Sequence, residues 1–220
     1  GSSANCGGPM IALNAAVAEQ LIHFKQETDA LIDKGVKKDE AIFQVLRKYI
    51  IESKLVRFEG NGYSKEWKEE AERRGLSTEV DCVPALKAYC SGKAKRLLVD
   101  SGILSERELK ARFEIKNEIY LKKLQIESRV LGDLVLNHVI PTAISYQNTL
   151  LTNVTSLKAI LPDYEQVADV QIDEIRTISH HIREIQKMVS DMTEVRKQAN
   201  TISDEVKRAE EYTINVRPCL

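Results

Sequence analysis

The sequence lacks the features that mark several large classes of protein. Aromatic residues make up only 5% of its 220 positions and charged residues 30%, a balance that suits long solvated helices better than a sheet. Lysine plus arginine number 32 and aspartate plus glutamate 33, so the basic excess of a typical nucleic-acid-binding protein is absent. No apolar run approaches the roughly 18 residues of a membrane-spanning helix. We therefore predict a helical protein that binds neither nucleic acid nor membrane.

Sequence motifs for nucleotide binding, metal binding and thiol chemistry are also missing. Neither G-x-x-x-x-G-K-[ST] nor H-E-x-x-H occurs, and no G-x-G-x-x-G follows a predicted strand. The four cysteines contain no C-x-x-C, which disfavours a zinc or thioredoxin-like site. We predict reduced, buried and inert thiols, as in a cytoplasmic protein. These cysteines are Cys6, Cys82, Cys90 and Cys219.

The histidines offer weak candidates for chemistry. His180 and Glu184 stand four residues apart and could share a helix face as metal ligands, whereas His181 points elsewhere. Two ligands on an exposed face make a poor metal site, so a solvated polar face is the preferred interpretation. His138 adjoins apolar residues, which favours a packed or capped histidine over a catalytic one. The sequence thus predicts no catalytic, cofactor-binding or metal-binding residue.

Apolar residues recur at helical spacing in the first half of the chain. The pattern predicts a helix over about residues 10–33, which Gly35 ends, and a second helix capped by Asp39. The apolar stripe of the first helix comprises Met10, Leu13, Val17, Leu21, Phe24 and Leu31.

A glycine-rich turn, Gly60-Asn61-Gly62, separates the second helix from a short third one. Ser64 is predicted to cap this third helix, which carries Trp67 and which Gly75 ends. The glycine backbone could approach a phosphate closely, but a tight turn between helices is the simpler interpretation. Trp67 could anchor a partner, although a tryptophan on a short amphipathic helix more often fills a local core.

The second half of the chain has the pattern of two long helices. Ser105 and Glu108 form a capping box at the start of the first, and Pro141 is expected to interrupt and kink it. The residue before Pro162 is disfavoured in a helix, so a break is predicted there. Apolar residues of the last helix recur about every 3.5 residues, as in a coiled coil. We therefore predict an all-α fold in which N-terminal short helices precede a long antiparallel helical hairpin, a coiled-coil-like bundle.

Three segments are more specific than helical periodicity requires. They read GSSANC at residues 1–6, RFEGNGYSKEW followed by EAERRGL at residues 57–67 and 70–76, and NHVIPTAISYQN at residues 137–148. All three resemble, in the same order, the C-terminal third of type III glutamine synthetases, and the resemblance covers nearly the whole chain.

The resemblance implies a connection with glutamine synthesis from glutamate and ammonia, which uses ATP and magnesium or manganese. The E-x-R pattern that closes the family's catalytic region, its metal ligands and its nucleotide-binding residues would all lie upstream of Gly1. The chain is therefore expected to be an inactive fragment that holds none of these cofactors. Residues 1–104 would be the helical region that follows the catalytic barrel and residues 105–220 the hairpin, together forming one continuous helical domain.

Two functions from different classes fit this resemblance. The first is a non-catalytic C-terminal domain that serves structure and subunit assembly, with further copies or other subunits of a homo-oligomer as partners. The alternative is a free-standing coiled-coil interaction protein that has lost ligase function. An upstream reading frame encoding E-x-R would favour the first, and a start codon there the second. In the first, Val17, Leu21 and Phe24 would be uncovered in the isolated chain, which would then self-associate.

Overall fold

A computed structural model describes residues 6–220, and all regular secondary structure in that range is helical. This confirms the predicted all-α class. The first five residues of the GSSANC segment lie outside the described residues. The chain divides into two compact units, Gly1–Phe113 and Glu114–Leu220.

The first unit contains five helices within its described residues and the start of a sixth. They are α1 (Gly7–Asp33), α2 (Lys38–Glu52), α3 (Lys65–Arg73), α4 (Cys82–Leu86), α5 (Gly92–Lys95) and α6 (Glu106–Leu134). Short 3₁₀ turns occupy Ser53–Leu55 and Lys87–Cys90, and a π-helical turn follows α5 at Arg96–Asp100. Gly35 ends α1 with a φ of 89°, as predicted. The predicted cap of α2 is wrong, because Lys37 occupies the N-cap and Asp39 lies inside the first turn.

Helix α1 buries different faces along its length. In its N-terminal half, Ile11 and Ala15 pack against a small core that includes Leu98 and Leu109. In its C-terminal half, Thr28 is buried and α1 packs on α2. The apolar stripe predicted from the sequence therefore faces the core over only part of the helix.

The second unit is built on two long helices. Helix α6 continues through a π-helical turn, Val135–Val139, into α7 (Ile140–Ile160), which gives 55 helical residues without a break. The predicted break at Pro162 is confirmed, since Leu161 is extended with φ −113° and ψ 124°. Beyond it lie α8 (Tyr164–Val167), α9 (Asp169–Ala199) and α10 (Glu205–Glu211), then a second π-helical turn, Tyr212–Val216.

Both π-helical turns of this unit end two residues before a proline. Pro141 follows a turn in which the amide of Ile140 donates to the carbonyl of Val135, and Pro218 follows one in which Arg217 donates to Tyr212. Proline lacks the amide and its ring clashes with the carbonyl four residues earlier, so a locally wider turn accommodates it. The predicted interruption at Pro141 is thus a change of hydrogen-bond register within a continuous helix.

The long helices pack as the predicted antiparallel hairpin. The Gln147 side-chain amide donates to the Ile175 carbonyl (2.9 Å) and the Ser179 hydroxyl (2.6 Å). Farther from the connection between the helices, Gly132 faces Val189 and Met192. Earlier residues of the first long helix therefore meet later residues of α9, which is the antiparallel arrangement. Val189, Met192 and Ala199 are buried on α9. These three apolar positions of the predicted seam therefore face the inside of the hairpin, whereas Val167, before α9, is exposed.

The helix caps predicted at Ser105 and Ser64 are confirmed. The Ser105 amide donates to the Glu108 carboxylate (2.8 Å), and the Glu108 amide donates to the Ser105 hydroxyl (3.2 Å). The Ser105 amide and the Ser105 hydroxyl, which both donate to the Glu108 carboxylate, lower the pKa of Glu108 from its ordinary value, the backbone amide being the larger cause. Ser64 caps α3 by accepting from the Trp67 amide at 3.2 Å.

Replacing Gly132 with alanine is expected to stabilise the protein by about 0.5–1 kcal/mol, because glycine is a poor residue within a helix. An added Cβ would lie 3.6 Å from Val189 Cγ1 and 3.7 Å from Met192 Cε, ordinary packing distances. Urea denaturation would measure the change. Gly102→Ala is the control and is expected to destabilise by about 1–2 kcal/mol, since Gly102 has a φ of 76°. A loss of stability in Gly132→Ala would contradict the packing described.

None of the helices within residues 6–220 has both the length and the apolar composition needed to cross a membrane.

Candidate functional site

An uncovered apolar stripe on α1 is the clearest candidate for an interaction site. It comprises Met10, Leu13, Val17 and Leu21, whose exposed fractions are between 52% and 65%. Their spacing of three or four residues places them on one face of the helix. The opposite face of the same segment carries Ile11 and Ala15, which are the residues that pack inward. We refer to these four residues as the α1 stripe.

Helix α2 covers the continuation of this face. Phe24 meets the edge of the Tyr49 ring, with 6.1 Å between ring centroids, so the expectation that Phe24 would be uncovered is wrong. Lys48 Nζ lies 2.8 Å from Glu27 Oε2, and the Tyr49 hydroxyl donates to Glu27 Oε1 at 3.2 Å. The α1 stripe is therefore the N-terminal part of this face, which α2 does not cover.

The Glu27–Lys48 pair responds to pH in a defined direction. The hydrogen bond from Lys48 lowers the pKa of Glu27, and the same bond raises the pKa of Lys48. A carboxyl with a lowered pKa stabilises the folded state above its ordinary pKa, and this contribution is lost as pH falls through the lowered value. The pairing of α1 with α2 is therefore intact at neutral pH and weakens in acid.

The second unit has an exposed apolar stripe of its own. It runs along α6 at helical spacing and consists of Ile115, Ile119, Ile126, Val130 and Leu134, each about half exposed or more. These residues alternate with the buried positions Leu121, Leu124 and Ser128, which face the interior of the unit. We call them the α6 stripe. Apolar side chains in an ordered row indicate a contact surface, whereas scattered ones do not.

The Gly60-Asn61-Gly62 segment is a turn above a small aromatic cluster. The Asn61 side-chain oxygen accepts from the Tyr63 amide at 3.0 Å, and Gly60 has a φ of 149°. A Cβ on Gly60 would lie 2.9 Å from the Phe58 ring. The segment therefore fits the predicted structural turn, with its glycine needed for close approach.

Trp67 is half-buried and packs against residues of its own unit. Its ring stacks on Phe58 with centroids 4.1 Å apart, and the Arg74 guanidinium lies 5.4 Å from its centroid. Arg74 also donates to the carbonyls of Arg57 (2.9 Å) and Leu55 (3.3 Å). Through Arg74, the EAERRGL segment connects α3 to the loop before it. This contact gives Arg74 a structural role in the segment.

The candidate metal ligands lie on an exposed face of α9. His180, His181 and Glu184 are all exposed, and the two imidazole rings are 5.7 Å apart. Across residues 6–220 no three histidine, cysteine, aspartate or glutamate side chains come together as a potential metal site. The sequence favours a packed or capped His138 over a catalytic one; His138 is exposed, so it is not packed.

The prediction of buried cysteines is also wrong. Cys6, Cys82, Cys90 and Cys219 are exposed and are not joined in disulfides. Cys6 immediately precedes α1, and the other three stand at the ends of short helical elements. Their spacing in the sequence gave no signal of this.

Comparison with known proteins identifies the family. A family model described as "Glutamine synthetase C-terminal domain" matches residues 41–158. A glutamine synthetase of Bacteroides fragilis (strain YCH46) is 47% identical over 222 residues, covering 100% of this chain and 30% of that protein. The Type-3 glutamine synthetase of Dictyostelium discoideum is 37% identical over 158 residues, covering 71% of this chain and 21% of that protein.

A third relative matches a similar share of the chain. A glutamine synthetase of Butyrivibrio fibrisolvens is 26% identical over 218 residues, which is 96% of this chain and 30% of that protein. The chain thus spans less than a third of the length of these relatives, and the matches lie in their C-terminal part. It belongs to the type III glutamine synthetase family and corresponds to the C-terminal helical region of these enzymes.

Proposed function

We propose that this chain forms a non-catalytic helical layer of a glutamine synthetase, where it supports the structure and the assembly of subunits. The observation that carries this proposal is the α1 stripe. One face of α1 is apolar throughout, and α2 covers it in the C-terminal half and leaves it exposed in the N-terminal half. A surface of this kind has the composition of an interface.

The energetic argument for a partner follows from the size of the side chains. Burying a valine, leucine or methionine side chain contributes about 1.5–3 kcal/mol relative to full exposure. The α1 stripe holds four such side chains, each more than half exposed. Part of that energy is lost to the ordering of the partner surfaces, but the remainder favours association.

The two stripes suit two different partners. Helix α1 opens the region that matches the relatives, so the preceding part of a longer protein is the nearest surface along the chain for the α1 stripe. The α6 stripe lies on a helix that continues for 55 residues through α7. Such a long apolar row fits a helix of a neighbouring subunit, as in coiled-coil contacts. Both assignments are part of the proposal.

The charged residues of this chain support a non-catalytic role. Phosphoryl transfer from ATP needs metal ions held by clustered ligands and cations placed around the phosphates. Here Asp29, Glu69 and Glu118 pair with lysines four residues away on exposed helix faces. Pairs of this kind are solvated and contribute little beyond solubility. ATP and magnesium or manganese would bind the preceding part of the enzyme.

The catalytic half of the proposal is tested by assaying the purified chain. We expect no glutamine formation from glutamate, ammonia, ATP and magnesium above the buffer rate. The Bacteroides fragilis enzyme assayed in the same buffer is the positive control. Turnover that disappears after a point substitution in this chain would show that the chain itself holds an active site.

A further inference from the structure

A partly enclosed apolar cavity of about 210 Å³ lies within the first unit. Its walls come from α1, the 3₁₀ turn at Lys87–Cys90, α5 with its π-helical extension, and the start of α6. The space exists because four positions on three of these segments carry residues with little or no side chain. They are Gly8, Ala12, Ala88 and Ala94. Larger residues at these positions would fill the cavity.

The rest of the cavity wall is apolar apart from two groups. Leu97 and Leu104 supply aliphatic surface, whereas Tyr89 and Arg112 also line the space and carry polar atoms. An apolar wall with a few polar groups is the usual composition of a small-molecule site. The cavity is thus suited to a small molecule that is mainly apolar and carries one polar group.

The Arg112 side chain gives the cavity a positive charge. Arg112 is half-buried and, among the described residues, forms no ion pair. Glu108 stands one helical turn before it, and the pKa of its carboxyl is lowered mainly by the hydrogen bonds from the Ser105 amide and hydroxyl, both at 2.8 Å, and to a smaller extent by the charge of Arg112, with which it forms no direct ion pair. The guanidinium therefore keeps donors for an external acceptor, and its planar shape matches a carboxylate.

We propose that this cavity binds a small monocarboxylate with a compact apolar body, about the size of benzoate. A cavity of roughly 150 Å³ lined by apolar side chains takes one benzene molecule. The larger volume here leaves room for a carboxylate beside the ring, facing Arg112. The carboxylate forms charge-assisted hydrogen bonds with the guanidinium while the ring lies against Leu97 and Leu104. This inference does not depend on the role in assembly.

The test is an NMR titration of the whole chain with benzoate and with benzamide, its neutral isostere. The unmodified chain is expected to bind benzoate about tenfold more tightly than benzamide, the scale of one charge-assisted hydrogen-bonded pair. Arg112→Gln should remove this preference. Arg107→Gln, an exposed arginine on the same helix, should leave the preference unchanged. Equal binding of the two compounds, or an unchanged preference in Arg112→Gln, would overturn the proposal.

A second variant tests the location independently of charge. Ala94→Leu fills the cavity and is expected to weaken binding of both compounds at least about tenfold. Ala16→Leu, on an exposed position of α1, is the matched control and should bind as the unmodified chain does. Circular dichroism verifies that each variant is folded, and Arg112→Gln alone decides the outcome if Ala94→Leu is not. Absence of saturable binding of either compound to the unmodified chain would also overturn the proposal.

Discussion

Replacing Met192 with alanine is expected to lower the free energy of unfolding by about 2–5 kcal/mol. The Met192 side chain is only 2% exposed and lies on the inner face of α9. Its Cε faces Gly132 on α6, a residue with no side chain that could move into the space left by the truncation. The substitution therefore leaves a cavity at the centre of the hairpin. Urea denaturation followed by circular dichroism would measure the loss.

Met188→Ala is the matched control for this experiment. Met188 lies one turn earlier on α9 and is 63% exposed, so its truncation removes little buried surface. We expect its free energy of unfolding to change by no more than about 0.5 kcal/mol. Equal losses in the two variants would show that the inner face of α9 is not the one described.

Aspartate at Val17 and Leu21 is expected to weaken self-association of the isolated chain strongly. We expect the unmodified chain to associate at high micromolar concentration, because the α1 stripe exposes four large apolar side chains on one helix face. Two carboxylates in that stripe would have to be desolvated on association, which opposes it strongly. Light scattering should therefore show a dissociation constant raised by more than about tenfold.

The control for this substitution places the same charges elsewhere on α1. Ala16 and Ala18 are exposed but lie outside the α1 stripe, so Ala16→Asp with Ala18→Asp adds two negative charges without touching it. We expect this variant to associate as the unmodified chain does. A monomeric unmodified chain at high micromolar concentration, or equal effects of the two double variants, would count against the stripe as an interface.

Local signals predicted the starts and ends of helices well. Ser64, the Ser105–Glu108 capping box, Gly35 and the break before Pro162 all act as their sequence indicates. Each of these features depends on hydrogen bonds or backbone angles within a few residues, so no distant contact can override it. The cap of α2 differs by two residues from the prediction: Lys37 occupies the N-cap without a side-chain hydrogen bond, and Asp39 lies in the first turn.

Burial could not be predicted from helical periodicity alone. Periodicity predicts a single apolar face on α1, but the fold buries Ala15 and partly buries Ile11 in one half, and buries Thr28 and partly buries Phe24 in the other. The choice depends on which distant segment packs against each half. The same limit applies to the four cysteines, whose exposure depends on their places at element ends.

The cavity beside Arg112 had no sequence signal. Its lining residues are spread from position 8 to position 112, and glycine or alanine at a helical position is common for many other reasons. The π-helical turn before Pro141 was likewise not predicted, because a proline within a helix can be accommodated by a kink, a break or a wider turn.

The assembly role is measured most directly in a full-length enzyme. The matching C-terminal part of the Bacteroides fragilis glutamine synthetase would be replaced by this chain, which is 47% identical to it. Sedimentation velocity is expected to show the same oligomer for the hybrid as for the unmodified enzyme. Aspartate at Ile119 and Ile126, in the α6 stripe proposed to meet a neighbouring subunit, should shift the hybrid to smaller species, and the Ala16 and Ala18 control should not. Full assembly and glutamine formation by the Ile119 and Ile126 variant, or by an enzyme that lacks this region, would contradict the proposed role.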